Sequence, residues 1–118
     1  MKLTPAILAA AYSYLRETLP FRRWKLPPAD EVEFAVTAHR DREGDHTTYH
    51  RTLDHVIRIS EHHIRTTQAL MICMAHEMIH ARQEREKTAP QRPGHNSEFK
   101  RLATRVCYEH GWKLEDFL

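Results

Sequence analysis

The residues most able to do chemistry stand together at positions 76–80, where the sequence reads His-Glu-Met-Ile-His. Two histidines four residues apart lie on one face of a helix and can share a metal ion, and zinc suits imidazole ligands. The glutamate after the first histidine then lies near enough to the metal to take a proton from water without becoming a ligand. This HExxH pattern predicts a zinc site with His76 and His80 as ligands and Glu77 as the general base.

The residues before the motif strengthen this prediction. They read Leu70-Met71-Ile72-Cys73-Met74-Ala75 and are all apolar. Two imidazoles and a carboxylate in an apolar helix cost on the order of a few kcal/mol unless something pairs with them, and a divalent metal would do so. The alternative is that they are core or surface side chains satisfied by ordinary hydrogen bonds.

A catalytic zinc site also needs a third protein ligand and an open position for water. The metzincin extension is absent, because Gln83 and Glu86 occupy the positions where it requires Gly and His. The candidates further along the chain are His95, Glu98, Glu109 and His110. We select His95, since it follows Gly94 at the end of a loop and precedes a helix that can pack against the metal-bearing one. Glu98 is the main competitor and would give a site of two histidines and one glutamate.

Three blocks of the sequence resemble the SprT-like domain of the SprT and Spartan metalloproteases. They are Ile57-Arg58-Ile59-Ser60-Glu61, Ala75-His76-Glu77-Met78-Ile79-His80-Ala81 and Gly94-His95-Asn96-Ser97-Glu98-Phe99-Lys100. The resemblance covers roughly residues 32–107. It implies a zincin-like fold, zinc held by His76, His80 and His95, peptide hydrolysis with Glu77 as the catalytic base, and protein substrates bound or crosslinked to DNA. In this chain Asn96-Ser97 replaces the Gly-Pro often found in the family, and we expect no four-cysteine zinc ribbon.

Hydrophobic spacing predicts the elements that position these residues. Residues 5–19 place apolar side chains on one helical face, with Thr4 as the cap and Pro5 at the first helical position. Period-two alternation predicts strands over residues 32–37 and 55–60, and Thr47-Thr48-Tyr49 predict a short return strand after a turn at residues 41–45. Together they predict a small sheet of about three strands, arranged as a meander.

The second half of the chain reads as helical. Residues 67–84 are apolar almost all round, which predicts a buried central helix capped by Thr66 or Thr67. Residues 88–94 predict a loop, and a last helix capped by Asn96 or Ser97 should end at Gly111 before an apolar tail that docks on the body. The predicted fold is α+β and zincin-like, with an N-terminal helix, the small sheet, the HExxH helix and a C-terminal helix that carries the third ligand.

Composition fits one domain over residues 1–118, with 41% hydrophobic and 29% charged residues. No apolar run approaches the roughly 20 residues that span a bilayer, and the start of the chain lacks the features of a signal peptide. We therefore expect a cytoplasmic protein. Cys73 and Cys107 are expected to be buried, inert thiols, in keeping with a reducing compartment.

The positive charge is concentrated beside the motif. Residues 82–105 contain seven basic and three acidic residues, whereas the formal net charge of the whole chain is +2. Arg101 and Arg105 lie one turn apart on the predicted last helix. We expect weak, sequence-independent binding of DNA through them and their neighbours, and the alternative is a solvated helix face that aids solubility.

The competing functional hypothesis is a non-catalytic, zinc-containing module associated with DNA, in which a fourth ligand such as Glu98 or His110 closes the site. The remaining histidines are expected to be solvated or locally hydrogen-bonded; they are His39, His46, His50, His55, His62 and His63. The adjacent pair His62-His63 can approach the cleft. Together with Tyr108 and His110, this pair supplies the candidates for stabilising an oxyanion.

Overall fold

The computed structural model describes residues 2–38, 40, 44–49, 54–92 and 94–118. The helices and strands are α1 (Pro5–Arg16), β1 (Val32–Thr37), β2 (Gly44–Tyr49), β3 (Asp54–Ser60), α2 (Thr67–Glu86), α3 (Ser97–His110) and α4 (Leu114–Phe117). Two short 3₁₀ turns, Phe21–Arg23 and Ala29–Glu31, connect α1 to β1. The order of an N-terminal helix, a sheet, a long central helix and C-terminal helices confirms the predicted α+β class.

α1 begins at the predicted cap but ends earlier than expected. Thr4 Oγ1 accepts the N–H of Ile7 at 3.2 Å, which satisfies one of the free amide groups at the helix start. The helix stops at Arg16 and not at residue 19, because Thr18 turns back onto the helix. Its N–H and its hydroxyl both donate to the carbonyl of Leu15, at 2.8 and 2.6 Å. The apolar stripe is buried as predicted and comprises Leu8, Ala11, Tyr12 and Leu15.

The sheet has three strands, but their order differs from the predicted meander. The order is β1-β3-β2, with β3 parallel to β1 and antiparallel to β2. β3 lies at the centre because Val56, Ile57 and Ile59 are almost fully buried, which a strand with neighbours on both sides permits. β2 reads Gly-Asp-His-Thr-Thr-Tyr and lies at the edge. The prediction of a meander is therefore wrong.

Gly44 belongs to β2 and not to the predicted turn at residues 41–45, of which residues 41–43 lie outside the described part of the chain. A β-carbon at this glycine would stand 2.9 Å from the carbonyl oxygen of Arg58 and 3.1 Å from Cys73 Sγ. Only glycine allows β2 to approach β3 and α2 this closely. The edge strand is thereby brought next to the helix that carries the HExxH motif.

α2 is the central element, as predicted. Thr66 caps it by accepting the N–H of Ala69 at 3.0 Å, and the helix ends where Lys87 adopts a left-handed conformation at φ 60°. It packs against α1, α3 and the sheet. Its buried side chains surround the motif and are Leu70, Cys73, Met74, Ala75, Glu77, Met78, Ile79, Ala81 and Gln83. Glu77 is consequently buried, whereas His76 and His80 are partly buried at the edge of the core.

α3 and the tail also follow the predicted pattern, with one difference. Asn96 caps α3 through its side chain, and Gly111 ends it with φ 72°. In the tail, Phe117 is 3% exposed, whereas Leu114 and Leu118 remain exposed at 36% and 47%. The tail therefore docks mainly through Phe117.

Both cysteines are buried, as expected, and they form no disulfide with each other. Among the described residues, no helix combines the length and the apolar character that crossing a membrane requires.

Candidate metal centre

Three histidine side chains converge on one point of the structure. His76 and His80 lie one turn apart on α2, and His95 approaches from the loop before α3. The ring centroids are separated by 4.8 to 5.2 Å. When one nitrogen is taken from each ring, the three nitrogen atoms lie within 4.8 Å of one another. Among the described residues, these three histidines form a group that could hold a metal ion.

This donor set fits a metal ion. Zinc–imidazole bonds of about 2.0–2.1 Å place two tetrahedral ligands roughly 3.3 Å apart, so small ring rotations would bring the three nitrogens into range. Within the described part of the chain, His80 and His95 have no hydrogen-bond partner for their ring nitrogens. Both rings are partly buried and line the cleft, so a metal ion there would be bound by their nitrogen lone pairs.

An aromatic ring lies against the three imidazoles. Phe99, on the first turn of α3, stacks on His95 with a centroid separation of 3.8 Å and an interplanar angle of 6°. It also contacts His76 at 5.1 Å and His80 at 4.8 Å. Phe99 is fully buried, so it excludes water from this side of the cluster and restricts the ring of His95. Its position four residues after His95 is consistent with a helix that begins directly after the ligand loop.

The C-terminal segment fixes the orientation of the first histidine. The Nδ1 atom of His76 lies 3.0 Å from the backbone carbonyl oxygen of Phe117. A carbonyl oxygen can only accept, so Nδ1 carries the proton and the lone pair resides on Nε2. Sequence reasoning missed this contact, because a backbone carbonyl in the tail leaves no residue-type signal.

The surroundings keep the three histidines uncharged at neutral pH. Burial lowers the pKa of His76 to about 4, against a smaller raising effect from the Phe117 carbonyl. The pKa of His80 is also lowered to about 4, first by burial and then by the neighbouring His76 and His95. Burial, together with the charge of Lys100, lowers the pKa of His95. Neutral imidazole is the form that binds metal, so the site is prepared for an ion at pH 7.

A network of polar side chains ties the loop of His95 to α2. Gln83 is fully buried, and its Nε2 donates to Asn96 Oδ1 at 2.9 Å and to Glu98 Oε1 at 3.0 Å. Asn96 in turn donates to the carbonyl of Thr88 at 3.0 Å, and the Thr88 hydroxyl donates to Glu98. Both ends of the loop are therefore fastened to one helix. In the sequence, Gln83 stands out only as a polar residue three positions after His80, and that position alone does not indicate this role.

The other downstream candidates for the third ligand serve elsewhere. Glu98 accepts hydrogen bonds from Thr88 and Gln83, which lower the pKa of its carboxyl group, and it lies outside the histidine group. Glu109 pairs with Arg105 at 2.9 Å. His110 Nε2 lies 3.1 Å from the hydroxyl of Thr18, on the side of α1. Of the four candidates, the structure brings His95 alone to His76 and His80.

Glu77 lies beside the histidines in a cleft. It is 4% exposed, and two adjoining cavities of about 290 and 460 Å³ are lined by Glu77, His76, His95 and Gly44. Its carboxylate is not part of the histidine group. A molecule in either cavity can thus reach the candidate metal position and this carboxylate together.

The other sequence candidates lie away from this cleft. Neither cavity is lined, among the described residues, by Tyr108, His110, His62 or His63. The ring of His63 contacts the carbonyl of Arg40 at 2.7 Å, and Tyr108 is 78% exposed. His39, His50 and the side chain of His46 fall outside the described residues.

We expect one divalent ion per chain, bound by His76, His80 and His95. Changing His95→Ala should lower the metal content strongly, because one of three ligands is lost. Glu98→Gln keeps an acceptor oxygen for Thr88 and Gln83, so it should retain the stoichiometry and weaken affinity by at most about 10- to 100-fold. Metal analysis after dialysis measures both. Retention by the first variant and loss by the second would show that Glu98 is the ligand.

We also expect the metal-free protein to lose stability between pH 7.5 and pH 5. His76 and His80 protonate near 6.5 when unfolded but near 4 when folded. As the pH falls below 6.5, the two histidines bind protons in the unfolded chain but not in the folded chain. The free energy of unfolding that is present above pH 6.5 therefore decreases. Urea unfolding in a chelator should show a fall of at least about 2 kcal/mol. The double variant His76→Gln, His80→Gln should show a flatter dependence, and an unchanged dependence would contradict this assignment.

A comparison with protein-family models gives no match for this chain, and a comparison with curated proteins gives none either.

Proposed function

We propose that the chain is a zinc-dependent peptidase with a zincin-like fold of the SprT-like type. The observation that carries the proposal is the convergence of His76, His80 and His95 beside the buried carboxylate of Glu77, at a cleft. A metal position and a base at one open cleft are the parts that metal-assisted hydrolysis needs.

Zinc is the proposed metal, because an all-imidazole donor set suits zinc better than the oxygen-preferring ions magnesium and calcium. His76, His80 and His95 would hold it. When bound, zinc supplies Lewis-acid chemistry, which acidifies water and polarises a carbonyl group. The carbonyl of Phe117 keeps the Nε2 lone pair of His76 available, and Phe99 keeps water from the back of the site.

Glu77 is the proposed proton carrier. It follows His76 on α2 and lines both cavities, so a water molecule in the cleft would lie within reach of its carboxylate. It would then deliver that proton to the leaving amine of the cleaved peptide bond.

The edge strand supports a peptide as the substrate. Within the described sheet β2 pairs only with β3, so its other edge offers backbone groups to an extended chain. Gly44, the first residue of β2, lines both cavities at the histidines. Addition of a peptide as a further strand at a sheet edge is a common mode of peptide recognition. A peptide bound in this way to β2 would pass next to the candidate metal position.

The alternative is a zinc-containing module that binds DNA-associated partners without catalysis. A closed structural site requires a fourth protein ligand. The group found among the described residues has three members, and it lies at cavities instead of within a sealed core. Both observations favour the peptidase.

Glu77→Gln should keep the metal and the fold while lowering peptide hydrolysis by at least about 10²-fold, because the amide has nearly the same shape but accepts no proton. Cleavage of an unfolded protein substrate by zinc-loaded enzyme measures the effect, with metal content determined on the same samples. Glu86→Gln is the matched control, since Glu86 is an exposed carboxylate at the end of the same helix. Full activity in the first variant would remove Glu77 from the mechanism.

DNA binding through α3 also remains a proposal. Arg101 and Arg105 are one turn apart with side chains that are 71% and 54% exposed, although each lies near a carboxylate, of Glu98 at 3.8 Å and of Glu109 at 2.9 Å. Such pairs contribute little in water and can be displaced by a phosphate backbone.

Fluorescence anisotropy with a labelled oligonucleotide at low salt tests this proposal. Arg101→Gln, Arg105→Gln should weaken binding and reduce its salt dependence, since each phosphate contact adds a slope of about −0.9 for duplex DNA in log–log form. The control Arg23→Gln, Arg65→Gln removes the same charge from exposed arginines elsewhere. Equal curves for both double variants would mean that the α3 arginines form only a solvated face.

A further inference from the structure

A large cavity beside the metal cleft is walled by basic side chains. Its volume is about 960 Å³, and its basic lining residues are Arg16, Arg22, Lys25, Arg85 and Lys87. The acidic lining residues are Glu31 and Glu84. Within the described part of the chain, Arg16 is the only one of the five cations near a carboxylate, that of Glu17 at 3.9 Å. The described lining residues, five cations and two carboxylates, therefore give the cavity an excess of positive charge.

Two of the arginines are held in place by backbone carbonyl groups. Arg16 Nε donates to the carbonyl of Leu26 at 2.8 Å, and Arg85 Nη1 donates to the carbonyl of the preceding residue, Lys25. The hydroxyl of Tyr12 donates to the next carbonyl along the chain at 2.6 Å. Three successive carbonyl groups are thus each bonded to a side chain. A guanidinium group held in this way loses little freedom when it binds an anion, and it retains N–H groups for a carboxylate.

The cavity adjoins the cleft of the candidate metal centre. Glu84, Ala89 and Pro90 line both the basic cavity and the cavity that contains His76, Glu77 and His80. The end of α2 and the loop after it thus form a wall common to both cavities. A substrate long enough to cross this wall would place one part at the metal position and another in the basic cavity.

We propose that the basic cavity is a specificity site for acidic side chains of the substrate, on one side of the cleaved peptide bond. This inference rests on the proposed peptidase function. Guanidinium and ammonium groups would bind the carboxylates, and the apolar wall of Leu26, Pro27 and Pro28 would contact the methylene groups of glutamate. The substrate class is then proteins with an acidic segment next to an extended, accessible peptide bond.

A peptide suits this cavity better than a nucleic acid. Single strands bind proteins through successive bases stacked on aromatic side chains, and His55 is the one aromatic ring among the described residues that line the cavity. The carboxylates of Glu31 and Glu84 also interrupt the positive wall, which favours separate charges on a peptide over a continuous phosphate chain.

The test measures binding separately from hydrolysis. Fluorescence anisotropy compares a labelled peptide that contains a run of glutamates with the same peptide in which glutamines replace them. The protein is zinc-loaded Glu77→Gln, so that neither peptide is cleaved during the measurement. The test variant is Arg22→Gln, Lys87→Gln, whose side chains line the cavity and are exposed. The matched control is Arg23→Gln, Lys113→Gln, which removes one arginine and one lysine, both exposed, outside it. Arg85→Lys is a further variant, which keeps the charge but loses the planar fork.

The glutamate peptide should bind at least about tenfold more tightly than the glutamine peptide, and the test variant should remove most of that preference while the control keeps it. Equal binding of the two peptides, or equal losses in both double variants, would overturn the proposal. So would an oligonucleotide that displaces the peptide and loses its own affinity in the test variant alone. Preferential binding with no cleavage by the wild type would refute the peptidase function, whereas cleavage without preference for glutamate would refute the acidic specificity site.

Discussion

The free energy of removing three imidazole rings from water constrains the rest of this structure. His76 and His80 lie on the central helix, among apolar side chains, where a charged ring is strongly disfavoured and an unpartnered lone pair is costly. The Phe117 carbonyl satisfies one N–H, and Phe99 packs on the rings. What is left on the open side is a set of converging lone pairs. Such a set could hold a metal ion.

The third ring poses a different problem, because it comes from a loop, and loops move more than helices. Gln83 of α2 restricts the loop, because its side-chain amide donates hydrogen bonds to both Asn96 and Glu98. Asn96 also caps α3, by accepting the N–H of Phe99 at 2.9 Å. One asparagine thus joins the start of α3, the loop and the central helix. This gives a physical reason for an asparagine at position 96, since its side chain makes all of these bonds.

Local patterns predicted the parts of the molecule that depend on local physics. The caps Thr4, Thr66 and Asn96, the apolar circumference of α2 and the histidine spacing each act within one or two turns of helix. Strand order is not local, and the sequence of β2 and β3 does not state which edge β1 will join. The contact of His76 with a tail carbonyl and the fastening of the His95 loop join residues 41 and 13 to 15 positions apart. Such contacts exist only after the chain has folded.

The basic residues also fall into two groups, those that are close together in the sequence and those that only the fold brings together. The basic run at residues 82–105 is conspicuous in the sequence, yet on α3 its arginines have carboxylates three or four residues away, which reduce their field. The cations of the large cavity come from α1, the segment after it and the end of α2, so no window of sequence reveals them together. Concave walls of low dielectric strengthen the field of unpaired charges.

The two basic regions therefore differ in what binding would require. An anion in the cavity would meet Arg16 and Arg85, which backbone carbonyls already orient, although Arg16 also lies 3.9 Å from the carboxylate of Glu17. A phosphate at Arg101 must compete with Glu98, and Glu98 is also bonded to Gln83 and Thr88. Withdrawing Arg101 from this carboxylate alters the charge balance of the same network that holds the loop of His95. Arg101 thus shares a carboxylate with the network that holds the loop of His95, whereas Arg16 and Arg85 of the cavity are bonded to backbone carbonyls outside that network.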